Sequence, residues 1–183
     1  PFFRRQRQMC IRDRTYSDIK NKRVFISGGG SGIGATIVEY FCEQKSEVYF
    51  IDIDIKSSNK LIKKIKKKGF RVPKFIECNI LDVKKLQNII KDIISKKGAI
   101  HCLINSAAND DRHTTEQVDE KYWENRMGIN LKHYFFAAQA VVKGMKKIKS
   151  GSIVNLSSVS WVLGEGDKVC LLYTSDAADE RRR

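Results

Sequence analysis

From residue 22 onward the chain alternates between two hydrophobic rhythms. Short apolar runs, "RVFIS", "EVYFID", "RVPKFIEC", "AIHCLINS" and "GSIVNLSS", predict five strands. Longer stretches lie between them. "GIGATIVEYFCEQK", "SSNKLIKKIKKKG" and "LDVKKLQNIIKDIISKKG" predict helices, the last two stopped by Gly69 and Gly98, and a further helical stretch covers roughly residues 120–149. In the second helix Leu61, Ile62 and Ile65 form an apolar stripe ringed by lysines, the pattern of a helix with one solvated face. Strands that alternate with helices of ten or more residues predict βαβ units and a parallel sheet.

That pattern predicts an α/β fold, a Rossmann-type doubly wound parallel sheet, with ligand at the carboxyl ends of the strands. Directly after the first strand stands "SGGGSGIGA", in which Gly28, Gly32 and Gly34 have the spacing G-x-x-x-G-x-G. Glycine is needed where a side chain would keep the backbone from a pyrophosphate, and the helix that starts inside the motif offers free N–H groups. Ser27, Ser31 and Ile33 belong to the same candidate cofactor loop. A glycine-rich turn also has a purely structural reading; its place between a strand and a helix favours the nucleotide. Asp52 ends the second strand, eighteen residues after Gly34. A carboxylate there accepts hydrogen bonds from both ribose hydroxyls and repels a 2′-phosphate. No arginine beside it offsets that repulsion, so the expected cofactor is NAD.

With these residues in hand the chain resembles the short-chain dehydrogenase/reductase family from Arg23 to about Val169. Ser27-Gly28-x-x-x-Gly32-x-Gly34 resembles the family's Thr-Gly-x-x-x-Gly-x-Gly loop. "CNI" places Asn79, followed by Ile80, where the family usually has an aspartate reaching the adenine amino group. "NSAA", with Asn105 and Ala107, resembles Asn-Asn-Ala-Gly. Asn130 matches the active-site asparagine, and Ser158 in "SIVNLSSVS" matches the catalytic serine. The resemblance implies hydride transfer between NAD and a hydroxyl or carbonyl group, with Ser158 holding the reacting oxygen and Asn130 anchoring a proton-relay water. It also implies a homodimer or homotetramer and no metal. A narrower likeness, "NDDRH" and "SVSW", is to NAD-dependent aldose dehydrogenases of the D-xylose 1-dehydrogenase type. It makes Asp110, Asp111, Arg112, His113 and Trp161 candidates for binding a sugar; the alternative is a solvated loop with a local ion pair.

The family's catalytic tyrosine lies about thirteen residues after the serine, with a lysine four further on. Here those positions hold Leu171 and Ser175, while Tyr173 misses by two and is followed four later by Ala177. One DNA segment encodes "CLLYTSDAADE", and its reverse complement in another frame encodes Arg4 to Asp13; the segment resembles a transposase adapter used in sequencing libraries. The expectation is that residues 1–14 and 170–183 are adapter-derived. Residues 15–169 would then be the NAD-binding part of a longer enzyme, a fragment incomplete at the C-terminal side of its sheet and inactive without the tyrosine and lysine.

Composition narrows the rivals. The net charge of +14 invites a nucleic-acid partner, but the flanks carry eight Lys/Arg and four Asp/Glu, so it is +10 without them. No zinc-finger spacing or aromatic RNA-binding motif accompanies the charge. No apolar run approaches the roughly 18 residues of a membrane span. The five cysteines lack a CxxC pair and fit reduced thiols in a cytoplasmic protein. A small-molecule substrate, a sugar, is expected, without nucleic acid or membrane. The rivals are a carbonyl or 3-oxoacyl reductase of the same family and a non-catalytic nucleotide- or nucleic-acid-binding domain.

Overall fold

The computed structural model describes residues 15–158. Five strands, β1 (Arg23–Ser27), β2 (Glu47–Asp52), β3 (Lys74–Glu77), β4 (Cys102–Asn105) and β5 (Ser152–Asn155), form one sheet in the order β3-β2-β1-β4-β5. Every pairing is parallel. The connections carry α1 (Gly32–Glu43), α2 (Ile55–Lys67) and α3 (Val83–Lys97). Between β4 and β5 come a 3-10 turn (Thr115–Gln117), α4 (Glu120–Met127), a π turn (Gly128–Lys132) and α5 (His133–Lys147).

The central strands β1, β2 and β4 are buried on both faces, which is why they read as unbroken apolar runs, while β5 is exposed. Along β1, Val24 and Ile26 pack with Val38, Cys42, Leu61 and Ile65 of α1 and α2. Phe25, between them, faces the other way, into a cluster with Leu86, Ile90, Ala137 and Val141 of α3 and α5. Each fully buried side chain of this size contributes about 1.5–3 kcal/mol relative to exposure. Aspartates start three helices: Asp54, Asp82 and Asp119 accept from the N–H groups of Ser57, Lys85 and Tyr122. On the surface, Glu39 pairs with Lys64 and Lys68 and ties α1 to α2.

The expected fold is present, with two differences. First, β3, β4 and β5 are shorter than their apolar runs. Pro73 cannot donate to a ladder, and β2 offers β3 a register of only Tyr49↔Lys74 to Asp52↔Glu77. Second, the long helical stretch is interrupted by the π turn, whose wider winding separates α4 from α5. Strand order reverses between β1 and β4, and a crevice opens at their carboxyl ends.

Candidate active site

That crevice is a cleft of about 800 Å³. Its walls come from the glycine loop, Asp52–Asp54, Cys78–Ile80, residues 106–110, Ile129–Asn130, Tyr134 and residues 155–158.

The glycine loop is shaped by backbone. Gly28 and Gly29 donate to the Ile51 carbonyl at 2.8 and 3.1 Å, so the loop turns back over the end of β2. Gly28 has φ +69°, and a Cβ there would lie 2.6 Å from Ala107 Cα. A Cβ on Gly34 would lie 1.9 Å from the Gly28 carbonyl oxygen, so the helix starts in contact with the loop and only hydrogen fits between them. Ser31 opens α1 without a side-chain capping bond, and the first turn holds no acidic residue. The aspartate caps of α2, α3 and α4 have no counterpart here. The first N–H groups of α1, with the positive end of the helix dipole, suit a diphosphate.

Asp52 is held in place by its own neighbours. Oδ2 accepts from Gly30 N–H at 2.8 Å and Oδ1 from Asp54 N–H at 2.9 Å. Each oxygen keeps a second lone pair, so the carboxylate can receive two further hydroxyls without moving. Asn79 and Ile80 line the cleft beyond it, and Asn79 Oδ1 accepts from Leu81 N–H at 3.0 Å. Burial raises the Cys78 thiol pKa, so this cleft-side sulfur is not a poised nucleophile.

The opposite wall is built from side chains. In the π turn Asn130 is buried; its Nδ2 donates to the Asn109 carbonyl at 3.0 Å and its Oδ1 accepts from Asn109 N–H at 2.8 Å. The amide thus clamps the loop after β4. Tyr134, 8% exposed, donates to the Leu156 carbonyl at 2.8 Å, two residues before Ser158. Burial pushes its phenol up to about 12, so it stays protonated and serves as a donor. Ser158 lines the cleft together with Asn155 and Ser157.

The cleft therefore gathers Gly28, Ser31, Gly32, Ile33, Gly34, Asp52, Asn79, Ile80, Ala107, Asp110, Asn130 and Ser158 of the expected site. Ser27 and Asn105 are instead fully buried behind the wall. Ser27 Oγ accepts from Ser106 N–H and Ala107 N–H at 3.2 and 3.3 Å, and Asn105 Nδ2 donates to Asn155 Oδ1 at 2.8 Å. They hold the strand ends that bear the site. Among the described sugar-binding candidates only Asp110 is in the cleft wall. Asp111 pairs with Arg126 at 2.9 Å, whose guanidinium lies over Tyr122. His113 is buried, with Nδ1 2.9 Å from the Asp111 carbonyl and 3.0 Å from the Tyr122 hydroxyl. Arg112 is also outside that wall, and Trp161 lies outside the described residues.

Asn109, His133 and Tyr134 were not anticipated. Asn130, His133 and Tyr134 are spaced i, i+3, i+4, which puts three polar groups on one helical face, and that spacing was a readable signal.

Comparison with known proteins agrees with this geometry. The family profile described as short chain dehydrogenase matches residues 22–170. D-xylose 1-dehydrogenase of Caulobacter vibrioides is 39% identical over 166 residues, covering 90% of this chain and 64% of that protein. The probable galactose dehydrogenase of Rhizobium meliloti is 37% identical over 155 residues, covering 85% and 60%. The chain thus spans somewhat under two thirds of the length of these curated relatives. Among solved structures, the dehydrogenase Cj0485 superposes with a TM-score of 0.77 at 25% identity, covering 87% of this chain and 60% of that one. Nicotinamide cofactor binding is a property of that family. A glycine loop seated on the β4 turn, a helix asparagine clamping that turn and a serine after β5 converge on one cleft because this chain belongs to the short-chain dehydrogenases.

Proposed function

We propose that the parent protein is an NAD-dependent dehydrogenase that oxidises an aldose at C1 to the lactone. The observation that carries this is the fixed Asp52 carboxylate, anchored by Gly30 and Asp54 N–H groups at the adenosine end of the cleft that also contains Asn130 and Ser158. The fit to a dinucleotide is steric and electrostatic: Gly28 and Gly34 leave no room for a side chain, and the uncapped α1 terminus offers donors. Gly28 to Gly34 would hold the diphosphate, Asp52 the adenosine ribose, and Asn79 and Ile80 the adenine. A placed carboxylate next to a 2′-phosphate costs like-charge repulsion, which favours NAD over NADP. Bound there, the nicotinamide supplies the hydride acceptor.

The chain's own residues then orient the alcohol. Ser158 donates to the reacting oxygen, Asn130 keeps the loop carrying Asp110 closed on the cleft, and Asp110 accepts from a sugar hydroxyl. Removal of the hydroxyl proton falls to a tyrosine, with its lysine, encoded beyond Val169 in the parent gene. On the same reading residues 1–14 and 170–183 are adapter translation and the parent is a homo-oligomer.

The support for a sugar is the 39% and 37% identity to proteins named for D-xylose and galactose. The test is NADH formation by the protein expressed from the complete gene, with D-xylose and D-galactose as substrates. Sugar-dependent NADH is the expected outcome. Oxidation of NADPH by a 3-oxoacyl thioester, with no sugar-dependent NADH, would replace this assignment with the reductase reading.

A further inference from the structure

The first residue of α5 has no place in the mechanism above. His133 is fully buried in the apolar run "LKHYFFAAQA", where an imidazole is costly unless it is used. Its Nε2 lies 3.4 Å from Ser27 Oγ, which is itself fully buried. The serine hydroxyl has two lone pairs and one proton. Ser106 N–H and Ala107 N–H approach the lone pairs at 3.2 and 3.3 Å. The proton is left to point to His133, with Nε2 as its acceptor. Tyr134 fixes the ring from the side, edge-on with centroids 4.5 Å apart.

We infer that His133 is a positioning residue that, through the Ser27 hydroxyl, locks the turn after β4 against the glycine loop and thereby sets affinity for the dinucleotide. The contact at stake is the Gly28–Ala107 approach, which tolerates no added atom. If the side chain turns away, Ala107 N–H loses its acceptor, Ser106 N–H keeps only the Ser27 carbonyl at 3.2 Å, and this approach loosens. Asn130, one turn before His133 on the same helical face, holds Asn109 three residues further along the turn. The π turn and the first residue of α5 thus grip the β4 turn at both ends. The inference rests on the cofactor reading of the cleft, and its test separates the two.

The experiment is NADH titration by nicotinamide fluorescence, with steady-state kinetics, on the protein expressed from the complete gene. His133→Leu should raise Kd and KM for the cofactor about tenfold, the effect of one buried hydrogen bond, and change kcat by less than about twofold. His133→Gln, which keeps an acceptor near the Nε2 position, should recover most of the loss. Ser27→Ala should reproduce the His133→Leu defect without altering α5, and the double variant should be no worse than either single one. Equal defects in the Leu and Gln variants, multiplicative effects in the double variant, or a folded Ser27→Ala protein with unchanged Kd would each overturn the inference. Should His133→Leu fail to fold, the Ser27→Ala titration decides alone. If the unaltered protein binds no NADH, the cofactor assignment falls and the positioning role falls with it.

Discussion

The two walls of the cleft are built by different means. The β1–α1–β2 wall is backbone: glycines pressed against carbonyls, free helix N–H groups, and one carboxylate held by N–H groups within two residues of it in sequence or on the facing loop. The β4–α5–β5 wall is side chains that reach across the fold, Asn130 to Asn109, Ser27 to His133, Tyr134 to Leu156. The first kind of wall has no adjustable part and is intolerant of added atoms. The second depends on hydrogen bonds whose partners can titrate or rotate, and it should respond to pH and to conservative substitution.

The sharpest way to break this contrast is a single methyl group. Gly34→Ala places a Cβ 1.9 Å from the Gly28 carbonyl oxygen, a backbone atom that cannot step aside. A loss of about 3 kcal/mol or more in stability is expected in chemical denaturation, with NADH binding abolished. Gly32→Ala is the control from the same loop. Its Cβ would meet nothing within 4 Å, so only the φ of +52° is penalised, by about 1 kcal/mol. Equal costs at the two positions would remove the steric account of the backbone wall.

The side-chain wall should break with acid. Burial lowers the His133 pKa from 6.5 to about 4. The unfolded chain therefore takes up a proton that the folded one refuses, and stability is lost as pH falls from 6.5 toward 4. The lost amount is about 3 kcal/mol, fully retained above pH 6.5, with no further contribution below about pH 4. Urea unfolding at stepped pH should show this slope in the unaltered protein, and His133→Leu should flatten it. An unchanged slope in the variant would mean that another group carries the acid sensitivity.

The two walls also differ in how far they were readable from residues alone. The spacing of Gly28, Gly32 and Gly34, and Asp52 at the end of β2, are local signals, and the bounds of β1 and β2 follow from apolar runs buried on both faces. Ser27 and Asn105 matched a motif yet lie behind the wall, because motif spacing reports which residues assemble a loop and not which of them face the ligand. The π turn at Gly128–Lys132 was not visible, since nothing in a helical sequence marks where a carbonyl skips its usual partner. His133 sits in an apolar run, where only its spacing with Asn130 and Tyr134 sets it apart from a core histidine. Its partner, Ser27, is 106 residues away, and no local period reports such a pairing.

On the backbone wall, Asp52→Ala should erode the preference for NAD over NADP. The loss of its charge-assisted bonds to the ribose corresponds to roughly 1.5–3 kcal/mol, or about ten- to 150-fold in the ratio of kcat/KM values. Asp52 also fastens Gly30 and Asp54, so a smaller fall in stability should accompany the change. Asp52→Asn retains one acceptor and should fall between. A preference that survives both variants would place discrimination between the cofactors outside this carboxylate.

The smallest effect concerns Asp111, on the loop that the side-chain wall supports. Its carboxylate is 65% exposed and bonds Arg126 at 2.9 Å, while the Arg126 side chain is only 11% exposed and stacks over Tyr122. An ion pair with one partner in water contributes about 0–1 kcal/mol, so Asp111→Asn should shift the unfolding midpoint little. The loop's place beside Asp110 at the cleft makes a different prediction for kinetics. If the pair orients Asp110 toward a sugar, Asp111→Asn raises KM for the aldose several-fold and leaves KM for NAD where it was. If the pair only ties the loop to α4, both constants stay put and the midpoint alone moves. Initial rates with the two substrates varied independently distinguish these results, and a rise in KM for NAD would show instead that the β4 turn transmits changes on its substrate side to the cofactor wall.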